Sequence, residues 1–215
     1  MSEIDPYALR DAFGSFLSGV TVVTTRDDSG HPLGFTANSF SSVSLNPPML
    51  LVCPSRSLTS FPVFEQCRHF AVNILAEGQE SVSNTFASFK GDRFGVVDWQ
   101  PDQNGCPILA ETAAHFSCNT DRAIEAGDHI VLIGNVTDFQ RSGRRGLGFA
   151  AGQYFSLGLE RAADDIPSHS GRAFAGVILE HDNKVLLQQQ PRGLCPPQMP
   201  LESPARIRAS IGQPF

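Results

Sequence analysis

The run Val20-Thr21-Val22-Val23-Thr24-Thr25 constrains the fold more than any other part of the chain. Every side chain in it is β-branched, which stiffens χ1, disfavours helix and suits a pleated surface. Asp27-Asp28-Ser29-Gly30 follows at once, a cluster of the kind that hairpin turns use. An extended stretch resumes at Leu33 and continues through Phe40 to Val43, and Asn46-Pro47-Pro48 breaks it. Further strands are expected at 49–53, 69–75, 114–125, 128–141 and 147–156, with Ala126-Gly127 as a tight connection between the two longest. Helical spacing is confined to 6–18, where Asp5 is the cap and Pro6 lies in the first turn, and to shorter pieces at 61–67 and 77–89. Short strands separated by turn signals suggest a barrel or sandwich, and the lack of regular βαβ alternation argues against a doubly wound parallel sheet.

The length of 215 residues suits one domain of about 150 to 170 residues plus an appendage. The expected division is 1–158 for the main domain, 159–172 for a linker and 173–215 for the appendage. The linker segment is polar and charged, and a hairpin is expected after it, turning at His181-Asp182-Asn183-Lys184 between Val177-Ile178-Leu179 and Val185-Leu186-Leu187.

Several function classes fall away on composition. A net charge of -6 is the wrong sign for nucleic-acid binding, which phosphate contacts dominate. No apolar run approaches the roughly 20 residues that cross a bilayer, and the acidic start lacks the features of a signal peptide, so a cytoplasmic protein is expected. The five cysteines show no CxxC spacing and read as reduced thiols, and the six histidines form no metal-ligand pattern.

Four segments could carry chemistry. Residues 34–44 place hydroxyl and amide side chains along a stretch that would otherwise be apolar; the alternative is an edge strand with a solvated Ser/Thr face. Ser55-Arg56-Ser57 puts an arginine among hydroxyls where a helix is expected to begin, as a phosphate site would, although ordinary capping by Ser57 or Ser60 is the simpler reading. Lys90 and Arg93 follow a helix end, where cations also offset the dipole. His129 opens a long strand and could donate a hydrogen bond or move a proton near neutral pH, although a satisfied edge residue is the simpler reading. Neither GxGxxG after a strand nor a P-loop is present.

In order along about residues 5–156, LRDAFGSFLSGVTVVTT, GFTANSFSSVSLNPPMLLVC, FAVNILAEGQESVSNTFAS, KGDRF, GCPILAETAAHFSC and GDHIVLIGNV together resemble the short-chain flavin reductase family. The resemblance implies a mainly β fold, the FMN-binding split barrel, with an N-terminal helix and short crossing helices. It implies FMN or FAD as cofactor, NADH or NADPH as hydride donor, a homodimer, and delivery of reduced flavin to a monooxygenase. Thr36, Ala37, Asn38, Ser39, Phe40, Ser41 and Ser42 would lie along the flavin ring and ribityl chain. Ser55, Arg56 and Ser57 would face the flavin phosphate, with Lys90 as a second cation and Tyr154 at the rim. His129 would bind nicotinamide or stabilise the anionic reduced flavin. The competing readings are a non-catalytic flavin-binding or storage protein and a module that has lost flavin. The segment FAGVILEHDNKVLLQQQPRG resembles the opening hairpin of a Nudix domain, but the glutamate-bearing Nudix helix is absent, so no Nudix activity is expected.

Overall fold

A computed structural model describes residues 4–156 and, past them, the backbone of short strands between Phe174 and Pro200. The chain divides into two compact units, Met1–Gly158 and Leu159–Phe215. In chain order the first contains α1 (Pro6–Gly14), β1 (Ser18–Gly19), β2 (Thr21–Arg26), β3 (Pro32–Ala37), β4 (Ser41–Leu45), β5 (Pro48–Val52), α2 (Phe61–Gln66) and β6 (His69–Ile74). It continues with α3 (Glu80–Ser88), β7 (Trp99–Pro101), β8 (Pro107–Leu109), β9 (Ala114–Ala126), β10 (His129–Arg141), β11 (Gly148–Ala150) and β12 (Gln153–Phe155).

Seven strands form one sheet in the order β3-β2-β6-β9-β10-β5-β4, with antiparallel neighbours throughout. The two edge strands, β3 and β4, are consecutive in sequence and separated only by Asn38, Ser39 and Phe40. Laid flat, seven strands at about 4.8 Å spacing would put their edges roughly 29 Å apart. Four Cα steps reach about 15 Å at most. The sheet must therefore curl until its edges face each other, and the edges stay unpaired with one another. This is a split barrel, as the resemblance implied.

Both faces of β2 are buried, which explains its unbroken β-branched run. Val23 points into a cluster with Phe35, Phe64, Phe70, Val72 and Leu132 inside the barrel. Val22 joins Leu75, Phe86, Leu109 and Leu147 in a second cluster on the other face. The β9–β10 hairpin is the longest element and turns through Gly127, whose φ of 65° suits a residue without Cβ.

Four expectations need correction. The extended stretch expected from Leu33 through Phe40 to Val43 breaks at Asn38, Ser39 and Phe40 into β3 and β4. The first helix ends at Gly14 rather than at residue 18, because Ser18 and Gly19 pair with Phe149 and Gly148 instead. Its apolar side chains Tyr7 and Phe13, and Phe16 just past its end, are exposed within this chain. The last strand is two short ones, β11 and β12, joined through the left-handed residues Ala151 and Gly152. The expected loop around Trp99 holds the β7–β8 hairpin. The Asp5 cap forms as read, with its carboxylate accepting from the Tyr7 N–H at 3.0 Å.

In the second unit, Glu180 pairs with Val185 and His181 with Lys184, around the turn the sequence suggested. Val177, Ile178, Leu179, Leu186 and Leu187, expected to flank it, lie outside the described residues.

Candidate functional site

The gap between β3 and β4 organises the residues singled out by sequence. Thr36 is half-buried on β3, and its hydroxyl donates to the Ser83 carbonyl on α3 at 2.6 Å. Ala37 is buried, whereas Asn38, Ser41 and Ser42 are exposed on and beside the edge strands. The Ser39 hydroxyl accepts from the Cys53 N–H at 2.9 Å, tying the β3–β4 link to the segment that carries Ser55. Phe40 stacks on Phe116 with ring centroids 6.0 Å apart and forms the apolar floor of the link.

Ser55, Arg56, Ser57 and His129 come together because the chain after β5 runs against the start of β10. Ser55 bridges to His129, the Arg56 N–H donates to the Asp128 carbonyl at 2.8 Å, and the Ile130 N–H donates to the Pro54 carbonyl at 3.1 Å. The Ser55 and Ser57 hydroxyls lie 2.8 Å apart. His129 Nδ1 is 2.8 Å from Asp128 Oδ1, and that hydrogen bond, with the histidine's charge, holds the Asp128 carboxyl below its usual range. An ionised carboxylate accepts from Nδ1 and leaves Nε2 as the ring nitrogen available to a ligand.

Arg56 is not a bare cation. Its Nη2 donates to Glu125 Oε1 at 3.0 Å, Nη1 lies 3.8 Å from Glu65 Oε1, and the guanidinium sits 5.1 Å over the Phe61 ring. Glu65 and Phe61 are one turn apart on α2, while Glu125 comes from the end of β9.

Tyr154 and Lys90 lie along α3. The Tyr154 hydroxyl is 2.9 Å from Ser83 Oγ and donates to Asn84 Oδ1 at 3.0 Å. Lys90 is exposed beside an open hollow of about 600 Å³ that Asn84, Thr85 and Phe89 also line. The predicted residues thus form an arc: α3 with Lys90 and Tyr154, then Thr36 and the β3–β4 link, then Ser55 to Ser57 and His129. Ser83, Asn84, Glu65 and Glu125 belong to the arc and were missed. Glu65 comes in on the helix that follows Arg56 and the others through long-range contacts, although the position of Glu125 just before the Gly127-Asp128-His129 turn was a usable signal.

The described residues hold another hollow, of about 730 Å³, lined by Trp99, Glu111, His115, Gln140 and Arg144 among others and by none of the predicted residues. It sits at the opposite end of the β9–β10 hairpin from His129. Among the described residues no cluster of three or more His, Cys, Asp or Glu could hold a metal ion, and no helix is long and apolar enough to cross a membrane.

Comparison with known proteins bears on this arc. The flavin reductase like domain model matches residues 13–158. The reductase subunit Stc3 of stachydrine N-demethylase from Rhizobium meliloti is 48% identical over 176 residues, covering 82% of this chain and 76% of that one. The reductase component of the flavin-dependent trigonelline monooxygenase of Acinetobacter baylyi is 45% identical over 193 residues, covering 88% of this chain and 61% of that one. A structure of the NADH:FAD oxidoreductase SgcE6 from Streptomyces globisporus, in complex with NAD and FAD fragments, superposes with a TM-score of 0.68 at 36% identity, covering 74% of this chain and 99% of that one. A further relative from Rhizobium meliloti is 50% identical over 183 residues, covering 85% of this chain and 58% of that one.

Proposed function

The chain belongs to the flavin reductase-like domain family, and from that premise we propose that it is an NAD(P)H-dependent flavin oxidoreductase acting on FMN or FAD. The observation that carries this reading is the arc around the split in the barrel. Two edge strands leave backbone groups open beside exposed Asn38, Ser41 and Ser42, and a cation flanked by two hydroxyls lies at one end. Such a cradle suits a planar ring with a polar edge and a phosphate tail.

When bound, flavin supplies the ring that accepts hydride and nicotinamide supplies the hydride. The residues of this chain bind and orient. The link 38–40 and the start of β4 hold the ring and ribityl chain, Thr36 braces the link against α3, and Phe40 keeps its underside apolar. Arg56 with Ser55 and Ser57 receives the phosphate; Lys90, expected as a second phosphate cation, instead follows α3 and closes the far rim with Tyr154. His129, aimed by Asp128, offers Nε2 to the nicotinamide or to charge developing on the ring. Holding two rings in contact supplies the rate enhancement, without a protein general base.

The activity resides in residues 1–158, with 159–172 as linker and 173–215 as appendage. The protein works in the cytoplasm as a homodimer and passes reduced flavin to a monooxygenase. Support for the last point is that relatives 48% and 45% identical are named as reductase components of a demethylase and a monooxygenase. The decisive experiment follows NADH and NADPH oxidation by the purified protein with added FMN or FAD. Nicotinamide-dependent turnover is expected. Flavin binding without turnover would favour a storage role, and no flavin binding at micromolar concentration would sink the proposal.

A further inference from the structure

Arg56 stands where the proposed function needs an open cation, yet two carboxylates already hold it. The contacts come from two elements. Glu125 reaches back from the end of β9 and accepts from Nη2 at 3.0 Å. Glu65 approaches Nη1 at 3.8 Å from α2, and Phe61, on the same helical face, lies under the guanidinium plane. The arrangement follows from the fold. The Arg56 N–H is fixed to the Asp128 carbonyl, and Glu125 pairs with Ile130 in the same hairpin turn, so the two side chains leave the backbone as neighbours.

Neither carboxylate is needed to bury the arginine, whose side chain is 37% exposed, and the Glu125 side chain is 84% exposed. An exposed ion pair of this kind contributes little to stability. Its effect falls instead on any anion that approaches Arg56. A phosphate monoester brings close to two negative charges at neutral pH. It must share the guanidinium with Glu125 or displace it, and either way the two anions repel.

We infer that Glu125 is a built-in competitor of the flavin phosphate for Arg56, with Glu65 in support, so that this phosphate site is set for exchange of flavin rather than permanent retention. The inference rests on the reading that Arg56 faces the phosphate. Glu125 acts through Arg56 and touches neither ring, so it is a positioning residue. Its signature is selectivity: it discriminates between flavins with and without phosphate.

The test titrates FMN and riboflavin into wild type, Glu125→Gln, Arg56→Ala and the double variant. Glu125→Gln is expected to tighten FMN binding about fivefold at low ionic strength and to leave riboflavin unchanged. The gain should vanish near molar salt, where screening shortens to roughly 3 Å, and in the double variant, where no cation remains to be freed. An FMN affinity unchanged within about twofold, or an equal gain for riboflavin, would overturn the competitor. Arg56→Ala reports separately on the underlying reading. If it leaves the preference for FMN over riboflavin intact, Arg56 does not bind the phosphate and the placement itself fails. If it removes that preference while Glu125→Gln is silent, only the competitor is lost.

Discussion

Two polar clusters on this barrel are built in opposite ways. Around Asn73 on β6 every group is closed off from water: the residue is 0% exposed. Its Oδ1 accepts from the Leu109 N–H at 2.9 Å, while Nδ2 lies 3.1 Å from the Val22 carbonyl, 3.3 Å from Thr24 Oγ1 and 3.4 Å from the Pro107 carbonyl. Thr24 Oγ1 donates in turn to the Pro107 carbonyl at 2.6 Å. Around Arg56 the groups are charged, half in water and open on one side. A saturated buried network is structure, since each member would cost desolvation if its partner were lost. An open charged cluster adds little stability and can change partners. Asn73 serves β8 as a strand-edge substitute, and Arg56 serves whatever anion arrives.

The largest expected effect breaks the closed cluster. Asn73→Ala strands the buried Leu109 N–H, takes one donor from the Val22 carbonyl, leaves the Pro107 carbonyl to Thr24 alone, and should destabilise the fold by about 3 kcal/mol in denaturant titration. A loss below about 1 kcal/mol would mean that water replaces the side chain and that the network is not sealed.

The buried interior and the open cluster should also separate on a pH axis. Burial, first among the causes, pushes the Cys106 and Cys118 thiols up from 9.0 to about 12. A raised folded pKa means that the folded state keeps the proton longer than the unfolded chain does. Stability from these thiols is therefore complete below about 9 and is lost as pH rises toward about 12. Asp128, in the open cluster, is held below 3.8, so its contribution is present above that value and lost only in acid. The melting temperature should accordingly fall on the alkaline side through the thiols, and Cys106→Ala with Cys118→Ala should flatten that limb. A wild-type profile that is flat across the alkaline range would contradict the sealed interior.

The same contrast explains what the sequence disclosed. The β9–β10 hairpin was legible almost to the residue, because two long β-rich runs flank Ala126-Gly127 and pairing there is local. The β7–β8 hairpin was not: its strands have three residues each, too few for a period, and one is held by Asn73 from a distant strand. The last strand was read as continuous because nothing in Ala151 announces a φ of 47°. At the site, residue chemistry alone favours ordinary capping around Arg56 and an edge residue at His129, and it is the order of family segments that singles out both. Their partners were harder to read, since Glu65 reaches Arg56 from the following helix and Glu125 across the sheet from the end of β9. Side chains of this kind are singled out by the order of segments, whereas what neutralises them is decided by topology.

A smaller effect sharpens the open side of the comparison. Arg56→Ala should change folding stability by less than about 1 kcal/mol, since it removes only exposed pairs and one cation–π contact. The same substitution should weaken FMN binding about tenfold. Thermal melts and flavin titrations on the same samples would check both. A large loss of stability would move Arg56 into the structural class with Asn73.

The smallest effect concerns aim rather than binding. Asp128 is exposed, and its hydrogen bond to His129 Nδ1 spans 2.8 Å. Asp128→Asn should leave flavin affinity unchanged and slow nicotinamide-dependent turnover about threefold, because the imidazole loses the charged acceptor that fixes its orientation. The Asp128 carboxyl lies below its usual range, so wild type keeps it ionised throughout the neutral region. The ratio of wild-type to variant turnover should therefore stay constant from mildly acidic to mildly alkaline pH. A ratio that varies with pH would show that Asp128 does more than aim the ring, its charge also biasing the protonation of His129. A constant ratio of one would show that His129 is held by its backbone bridge to Ser55 alone, which would extend the rigidity of the closed cluster to one member of the open one.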